Sequence, residues 1–184
     1  KILGKSINHE GAIIKALKDD SGIEEFMANN STGLKRYNLP IDPSIVSSFA
    51  IFKKVSNPHW KYKEDPDYRE LFRPVSETIQ TKTGDCDDYA ICLAACMRKC
   101  GGCAQIVHAD EHLYPTLLVG KVAEKSKINR IIRKIFPSAK GRKINYLEID
   151  NELWLNMDYS ARYPGGKFLS KHNLEYFPWC EDLN

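Results

Sequence analysis

The sequence lacks several features that would place it in a specialised class of protein. It has no apolar run of about 18 residues, which excludes a transmembrane helix within these 184 residues. It contains no internal repeat and no low-complexity segment, so no repeat architecture or biased tract needs to be considered. No module typical of base recognition is present, and sequence-specific nucleic-acid binding is therefore not expected.

Charge is nearly balanced over the whole chain but concentrated in one segment. The net charge is +3, whereas residues 121–143 carry nine Lys or Arg and one acid. Four isoleucines recur there at helical spacing: Ile128, Ile131, Ile132 and Ile135. They predict a short amphipathic helix over Asn129–Phe136. Two interpretations stay open: an inserted helix with a solvated charged face, or a docking surface at 125–143 for an anionic partner. That partner would be a membrane surface, a nucleic acid or an acidic protein.

The cysteine pattern does not fit a disulfide scaffold or a zinc site. Cys92, Cys96 and Cys100 share one helix face, and the outer two are about 12 Å apart, too far for a disulfide or one tetrahedral zinc. Cys100 and Cys103 have no matching Cys or His pair to complete a metal site. We therefore expect buried, reduced thiols, which favour a reducing compartment such as the cytoplasm. Because the chain begins at Lys1 rather than Met, export or a membrane anchor stays open.

Hydrophobic periodicity changes from helical to strand-like along the chain. Helices are predicted over about residues 9–29, 44–55 and 85–99, the last being apolar on most of its circumference and therefore buried. Residues 78–84 lack helical periodicity and predict a loop. The predicted strands are Ala104–Val107, His112–Val122, and a hairpin of Tyr146–Ile149 with Leu153–Tyr159.

This order of elements indicates an α+β fold, in which N-terminal helices and the central helix pack on an antiparallel sheet. With 42% hydrophobic residues, the chain is long enough for one well-packed domain. We expect a single domain over residues 1–184, with a helical extension at 1–45 and a basic insertion at 121–143 that folding does not require. Pro115, inside a predicted strand, marks an edge or a bulge.

The most informative segment, Gly84–Ala90, places Cys86 where a loop becomes the central helix. Asp85 is the predicted N-cap, and Asp88 completes a box-like cap. Cys86 then lies in the first turn, where free N–H groups and the helix dipole favour a thiolate. The three adjacent carboxylates oppose this by raising the thiol pKa, so a nucleophile here needs a cationic partner such as histidine. The alternative is a structural cysteine.

A thiol nucleophile needs a base and a group that orients the base. His112 opens the longer strand after the central helix, so it is the expected base, with His108 as the alternative. Asp158 closes a strand predicted to pair near His112, and we expect its carboxylate at the rim of a cleft, partly solvated. Asp150 lies across the hairpin turn, at the wrong end.

These motifs resemble those of the transglutaminase-like superfamily, particularly its bacterial and phage members. There, a Gly-Asp-Cys-acid-acid sequence opens the core helix, as in Glu77–Ala90 here. His112–Tyr114 is similar to the strand that begins with the family's histidine, and Trp154–Asp158 to the W-x-x-x-D motif of its aspartate. The resemblance covers about residues 50–168. It implies a papain-like core and a Cys-His-Asp triad.

The resemblance also implies thiol-dependent acyl transfer at an amide, with Cys86, His112 and Asp158 as the triad and with no cofactor or metal. We expect hydrolysis of a protein or peptide, as by a cysteine peptidase or amidase. The alternatives are a cross-linking transglutaminase and a non-catalytic binding module that kept the fold. Gln80 is either an oxyanion donor beside the Cys86 backbone N–H or an ordinary loop residue.

A papain-like enzyme shares this chemistry but fits the spacing poorly. Its histidine follows the cysteine by about 130–150 residues, whereas only 98 residues follow Cys86 here. The sequence leaves the oligomeric state open.

Overall fold

Most of the helices precede the strands of the main sheet along the chain, as the α+β prediction requires. The structure is a computed structural model, and it describes residues 9–17, 22–66, 71–110 and 112–177. In this part of the chain the helices are α1 (His9–Leu17), α2 (Ile23–Asn30), α3 (Pro43–Val55), α4 (Val75–Thr81), α5 (Cys86–Lys99) and α6 (Lys125–Ile135). The strands are β1 (Lys61–Tyr62), β2 (Thr83–Gly84), β3 (Ala104–Ala109), β4 (His112–Lys121), β5 (Tyr146–Ile149), β6 (Glu152–Asn156) and β7 (Leu174–Phe177).

Five strands form an antiparallel sheet in the order β5-β6-β4-β3-β7. The central helix α5 is buried along most of its length and packs against β4 and β3. Ile106 of β3 and Leu113 and Leu117 of β4 belong to the same buried cluster as the apolar side chains of α5. The expected α+β fold, with a cysteine-bearing helix on an antiparallel sheet, is confirmed.

The N-terminal helical region is divided where the sequence predicts one helix. Gly22 adopts φ +75 and is the N-cap of α2, a conformation that glycine adopts without steric cost. Residues 18–21 lie outside the described residues. The next helix, α3, starts as predicted: Pro43 occupies its first turn, and Asp42 accepts a hydrogen bond from Ser44 N at 2.7 Å.

The segment before the nucleophile is not the loop predicted for residues 78–84. Residues 75–81 form α4, which ends at Lys82 with φ +54. The helix is only seven residues long, too short for a clear apolar period, and it buries Val75 and Thr78. After it, β2 pairs in parallel with β1, and Tyr62 lies opposite Gly84.

Pro115 lies in an interior strand, at the point where pairing with the neighbouring strand ends. The last residues paired between β4 and β6 are Thr116 and Asn156. Met157 N–H still donates to Pro115 O at 3.0 Å, but proline has no N–H to return the bond. The first residues of β4 are therefore unpaired on the β6 side. In effect, Pro115 marks a local strand edge.

The basic segment contributes directly to the main core. Its helix α6 starts at Lys125, four residues before the predicted start, and its four isoleucines are all buried. The Phe136 ring makes edge contacts with Phe49 and Phe52 of α3, with ring centroids 6.2 Å and 6.1 Å apart. This burial argues against the expectation that folding does not require the segment.

The expectation of reduced cysteines is correct for four of them and wrong for Cys103. Cys86, Cys92, Cys96 and Cys100 are free thiols. Cys103 is disulfide-bonded, and its partner lies outside the described residues. Helix spacing alone did not predict this bond, because Cys103 lies beyond the end of α5. The cysteines therefore do not support the expected reducing compartment.

Among the described residues, no helix is both long enough and apolar enough to cross a membrane.

Candidate active site

The first turn of α5 holds Cys86 in the predicted cap. Asp85 is the N-cap, and its Oδ1 accepts hydrogen bonds from Asp87 N at 3.2 Å and Asp88 N at 3.3 Å. In return, Asp88 Oδ2 accepts from Asp85 N at 3.3 Å. Two residues thus satisfy each other's backbone groups, which is the arrangement of a capping box. Cys86 is the first residue of the helix and is partly exposed.

The cap leaves one N–H group of the first turn available. Asp87 and Asp88 donate to Asp85 Oδ1, and Tyr89 N–H donates to Asp85 O. The Cys86 N–H has no acceptor among the described residues. A free backbone N–H on the nucleophile itself is well placed to bind an oxyanion.

Gln80 lies on α4 with an exposed side chain. No hydrogen bond within the described part of the chain joins it to the thiol. Its oxyanion role stays a prediction.

The Cys86 thiol contacts the start of β4. Leu113, the residue after His112, donates its backbone N–H to Cys86 Sγ, and Sγ lies 3.3 Å from Asp87 Oδ1. Leu113 lies two residues before Pro115, so its N–H faces the same side, beyond the point where β6 pairs with β4, because alternate residues of a strand direct their polar backbone groups to the same side. The end of the β4–β6 ladder therefore creates the space that the thiol occupies.

The surroundings of Cys86 disfavour an isolated thiolate. Burial raises the pKa of the thiol to about 12, with the charge of Asp87 as the next cause, while the Leu113 N–H lowers it. The helix N-terminus does not overcome these effects. As the sequence indicated, a reactive thiolate at this position needs a cation beside it.

One residue before Leu113, at the start of β4, the structure pairs His112 with Asp158. His112 Nε2 lies 2.7 Å from Asp158 Oδ2, and the two side chains are 14% and 1% exposed. An ionised carboxylate only accepts hydrogen bonds, so Nε2 carries the proton. In the neutral form of an imidazole, the lone pair is then on Nδ1. The Tyr114 ring stacks on the imidazole at 5.8 Å.

Hydrogen bonds hold Asp158 in place, two residues beyond the end of β6. Its N–H donates to Asn156 Oδ1 at 3.0 Å, and its Oδ1 accepts from Ser160 N at 2.9 Å. Asn156 is itself buried and donates to Gly166 O at 3.0 Å. The expectation of a partly solvated carboxylate at a rim is wrong, because the chain after β6 turns over Asp158. Protein donors replace water at both of its oxygens.

The geometry separates the two alternative residues from this pair. Ala109 lies opposite His112 in the β3–β4 register, so the His108 side chain projects from the other face of the sheet. His108 Nδ1 lies 3.5 Å from Glu175 Oε2. Asp150 is in the β5–β6 turn, beside the Lys121 end of β4, which is the far end from His112. This agrees with the sequence prediction, which placed Asp150 at the end of the hairpin that is far from the site.

Several residues around the site were missed by sequence reasoning. Arg73 binds Asp88, which lies fifteen residues further along the chain. Because the segment around Arg73 has no hydrophobic periodicity, no local sequence pattern predicts this contact. The Tyr159 ring stacks on Tyr89 with centroids 4.2 Å apart, and Tyr62 is 53% exposed beside the loop leading to Cys86. The one sequence signal for Tyr159 is its position directly after Asp158.

No group of three or more His, Cys, Asp and Glu side chains in the described residues is arranged to hold a metal ion.

Comparison with known proteins identifies the family of the chain. The family model of the Transglutaminase-like superfamily matches residues 42–159, which include Cys86, His112 and Asp158. No match was found among the curated proteins. The family match covers more than half of the 184 residues and contains the whole candidate site. The chain therefore belongs to the transglutaminase-like superfamily.

Proposed function

We propose that this protein is a cysteine peptidase or amidase that hydrolyses an amide bond of a protein or peptide through a Cys86–His112–Asp158 triad. The superfamily is commonly enzymatic. The observation that carries the proposal is the hydrogen bond of 2.7 Å between His112 and Asp158. The next residue along the strand, Leu113, donates its backbone N–H to the Cys86 thiol. This arrangement contains a nucleophile, a base and an orienting group.

In the proposed reaction, the proton of Cys86 Sγ passes to His112 Nδ1, and the thiolate attacks the carbonyl carbon of the substrate. The carbonyl oxygen becomes an oxyanion, for which the Cys86 N–H is the available donor. When the C–N bond breaks, the amine leaves with the proton held by His112. Asp158 stabilises the positive charge that the imidazole carries between these two transfers.

The thioester on Cys86 is then released to water, which gives up a proton to His112 as it attacks. The products are the free acid and the regenerated thiol. Cys86 is partly exposed and Tyr62 is largely exposed. Water can therefore reach the thioester, which supports hydrolysis over transfer to an amine. Cross-linking by a transglutaminase remains the alternative, and it differs only in the group that attacks the thioester.

One experiment separates these outcomes. The protein is incubated with a denatured protein substrate and a fluorescent primary amine, and the products are read by mass spectrometry. Hydrolysis predicts new termini or carboxylates without incorporated amine, whereas cross-linking predicts incorporation. Cys86→Ser should abolish either product. If the wild-type protein yields no product and Cys86 shows no enhanced reactivity, the chain is a binding module and the proposal is wrong.

We also propose that the basic segment 125–143 docks an anionic partner. The apolar face of α6 is in the core, so the surface it presents is cationic. Arg130 and Lys134 are exposed and make no ion pair with the described residues. The ten residues of β4 separate this segment from His112, and they span about 30 Å. Docking at this segment would therefore bring the enzyme to its anionic partner without forming part of the active site.

The test is salt-dependent binding to anionic lipid vesicles, to duplex DNA and to an acidic polypeptide. Arg130→Glu/Lys134→Glu should lose binding, because attraction to an anionic surface needs these cations. The matched control, Lys61→Glu/Lys63→Glu, changes the net charge equally at exposed residues in and just after β1 and should keep binding. Equal loss in both double variants would show that only the net charge matters.

A further inference from the structure

A buried ion pair links the first turn of α5 to the segment before α4. The Asp88 side chain is 0% exposed, and the Arg73 side chain is 15% exposed. Arg73 backbone N–H donates to Asp88 Oδ1 at 2.9 Å, and the Arg73 guanidinium donates to Oδ2. The same Oδ2 accepts the Asp85 N–H of the capping box. One carboxylate therefore joins Arg73 to the cap that holds Cys86.

The guanidinium has a second buried partner. Arg73 Nη2 lies 2.7 Å from Asp65 Oδ1, and the Asp65 side chain is 9% exposed. Asp65 also accepts the Leu71 N–H at 2.5 Å. A third carboxylate, on Glu77, is 52% exposed and lies 3.8 Å from Arg73 Nε. The two buried contacts fix the guanidinium, whereas the Glu77 contact is loose and solvated.

The packing around Asp88 leaves little freedom of position. A Cβ added to Gly84 would approach the Asp88 side chain to 2.6 Å, so the residue before the cap must be glycine. Asp88 is thus held by Arg73 on one side and closely packed against the loop on the other. Any movement of Asp88 would shift the Asp85 N-cap and, with it, the position of the Cys86 thiol.

Carboxylates are the main charges facing the thiol from its own helix. After burial, the charges of Asp87 and Asp85 raise the pKa of Cys86. Burial raises the pKa of Asp88, and the hydrogen bonds and charge of Arg73 oppose that rise. The guanidinium offsets the negative charge of Asp88, which would otherwise act on a nearby thiolate.

Groups from other elements complete the surroundings of Cys86. The thiol lies near the phenols of Tyr62, on β1, and Tyr159, after β6, and each of these has a raised pKa, mainly through burial. On β4, His112 is the group that the proposed function assigns as the cation for this thiolate. Arg73 adds a second, fixed positive charge behind the first turn of α5.

We propose that Arg73 is a positioning residue for Cys86, acting through Asp88. It fixes the capping box and offsets the charge of one of the three aspartates, so that His112 has to offset only the other two. This proposal rests on the proposed function of Cys86 as the nucleophile. It predicts an effect on the chemistry of the thiol as well as on folding.

The test is the rate of Cys86 alkylation by iodoacetamide as a function of pH, with thermal unfolding measured in parallel. Arg73→Gln leaves Asp88 with its backbone donors but without the cation. We expect Cys86 labelling at neutral pH to slow about tenfold, which corresponds to a thiol pKa about one unit higher. Arg73→Lys keeps the charge and should recover most of this rate. Glu77→Gln, which changes only the solvated partner, is the control and should leave the pH profile unchanged.

A double variant shows whether Arg73 acts through Asp88. Asp88→Asn in the Arg73→Gln background removes both charges and should restore labelling toward the wild-type rate. If Arg73→Gln alone does not fold, the labelling rate of this double variant is compared directly with that of the wild-type protein. An unchanged pH profile in Arg73→Gln, or a double variant as slow as Arg73→Gln, would overturn the proposal. If wild-type Cys86 is not the reactive thiol, the proposed function fails instead.

Discussion

The bond between His112 Nε2 and Asp158 Oδ2, 2.7 Å long, joins the first residue of β4 to the chain just beyond the end of β6. Pro115 makes this possible, because it ends the β4–β6 ladder and lets the chain after Asn156 leave the sheet. The same unpaired edge directs the Leu113 N–H to Cys86 Sγ. The end of the ladder at Pro115 thus accompanies both the His112–Asp158 bond and the contact of the Leu113 N–H with the thiol.

Replacement of Asp158 should damage chemistry more than folding. Asp158→Asn keeps the shape but loses the charge and favours the wrong tautomer of His112. In triads of this design the equivalent change lowers turnover by about 10⁴, against a loss of stability of about 1 kcal/mol. Cys86 alkylation and thermal unfolding measure the two effects. Asp150→Asn, in the distant β5–β6 turn, is the control, and a greater effect there would show that the assignment of the triad is wrong.

Cys86 should be the most reactive of the four free thiols in the part of the chain that the structure describes. Cys92 and Cys96 are 0% exposed, which protects them from reagents. Cys100 is partly exposed, but burial raises its pKa to about 12, which disfavours the reactive thiolate. Limited iodoacetamide labelling followed by peptide mass spectrometry gives the order of reactivity. Label found mainly on Cys100 would contradict the proposed nucleophile.

Asp85 should make the folded state less stable as pH rises from about 4 to about 6. Burial, followed by the charge of Asp88, raises the Asp85 pKa from 3.8 to about 6. The folded state therefore binds more protons than the unfolded state in this window, and each proton released costs stability as pH increases. The full effect is at most about 3 kcal/mol.

Asp85→Asn tests this dependence, because asparagine caps a helix about as well as aspartate. Chemical denaturation at several pH values should show that the variant loses the fall in stability that the wild-type protein shows between about pH 4 and pH 6. An identical pH dependence in both proteins would assign the effect to another group.

Much of the fold was readable from local sequence signals, and the failures have physical causes. The capping box at Asp85 and Asp88 and the start of α3 at Pro43 depend on residues within one turn, so short patterns predict them. Helix α4 was missed because seven residues provide too little periodicity, and tertiary packing of Val75 and Thr78 decides its conformation.

The candidate site was predictable as a set of residues but not as an environment. Cys86, His112 and Asp158 follow from a motif and from strand ends, whereas burial of Asp158 depends on how the chain folds over it after β6. The Arg73–Asp88 pair depends on contacts between distant segments, which no periodicity encodes.

The isoleucine face of α6 should be required for folding. Replacing Lys125–Arg142 with a short Gly/Ser linker removes four buried isoleucines and Phe136 from the core. Since each large buried side chain lost from a core costs about 2–5 kcal/mol, the sum exceeds the stability of a typical domain. We expect the variant to lose its cooperative thermal transition. The control variant, Arg130→Glu/Lys134→Glu, changes only the exposed face of α6 and should still unfold cooperatively. If the linker variant also unfolds cooperatively, α6 is not required for folding.

The pH dependence of Cys86 alkylation tests the central claim most directly, namely that His112 activates this thiol. The wild-type protein should react at neutral pH far faster than expected for a buried thiol with a pKa near 12, because an imidazolium stabilises the thiolate. His112→Ala should remove this neutral reactivity and leave a rate that only rises toward high pH, while His108→Ala should match the wild-type profile. A wild-type profile that only rises toward high pH, and that His112→Ala does not change, would contradict the account.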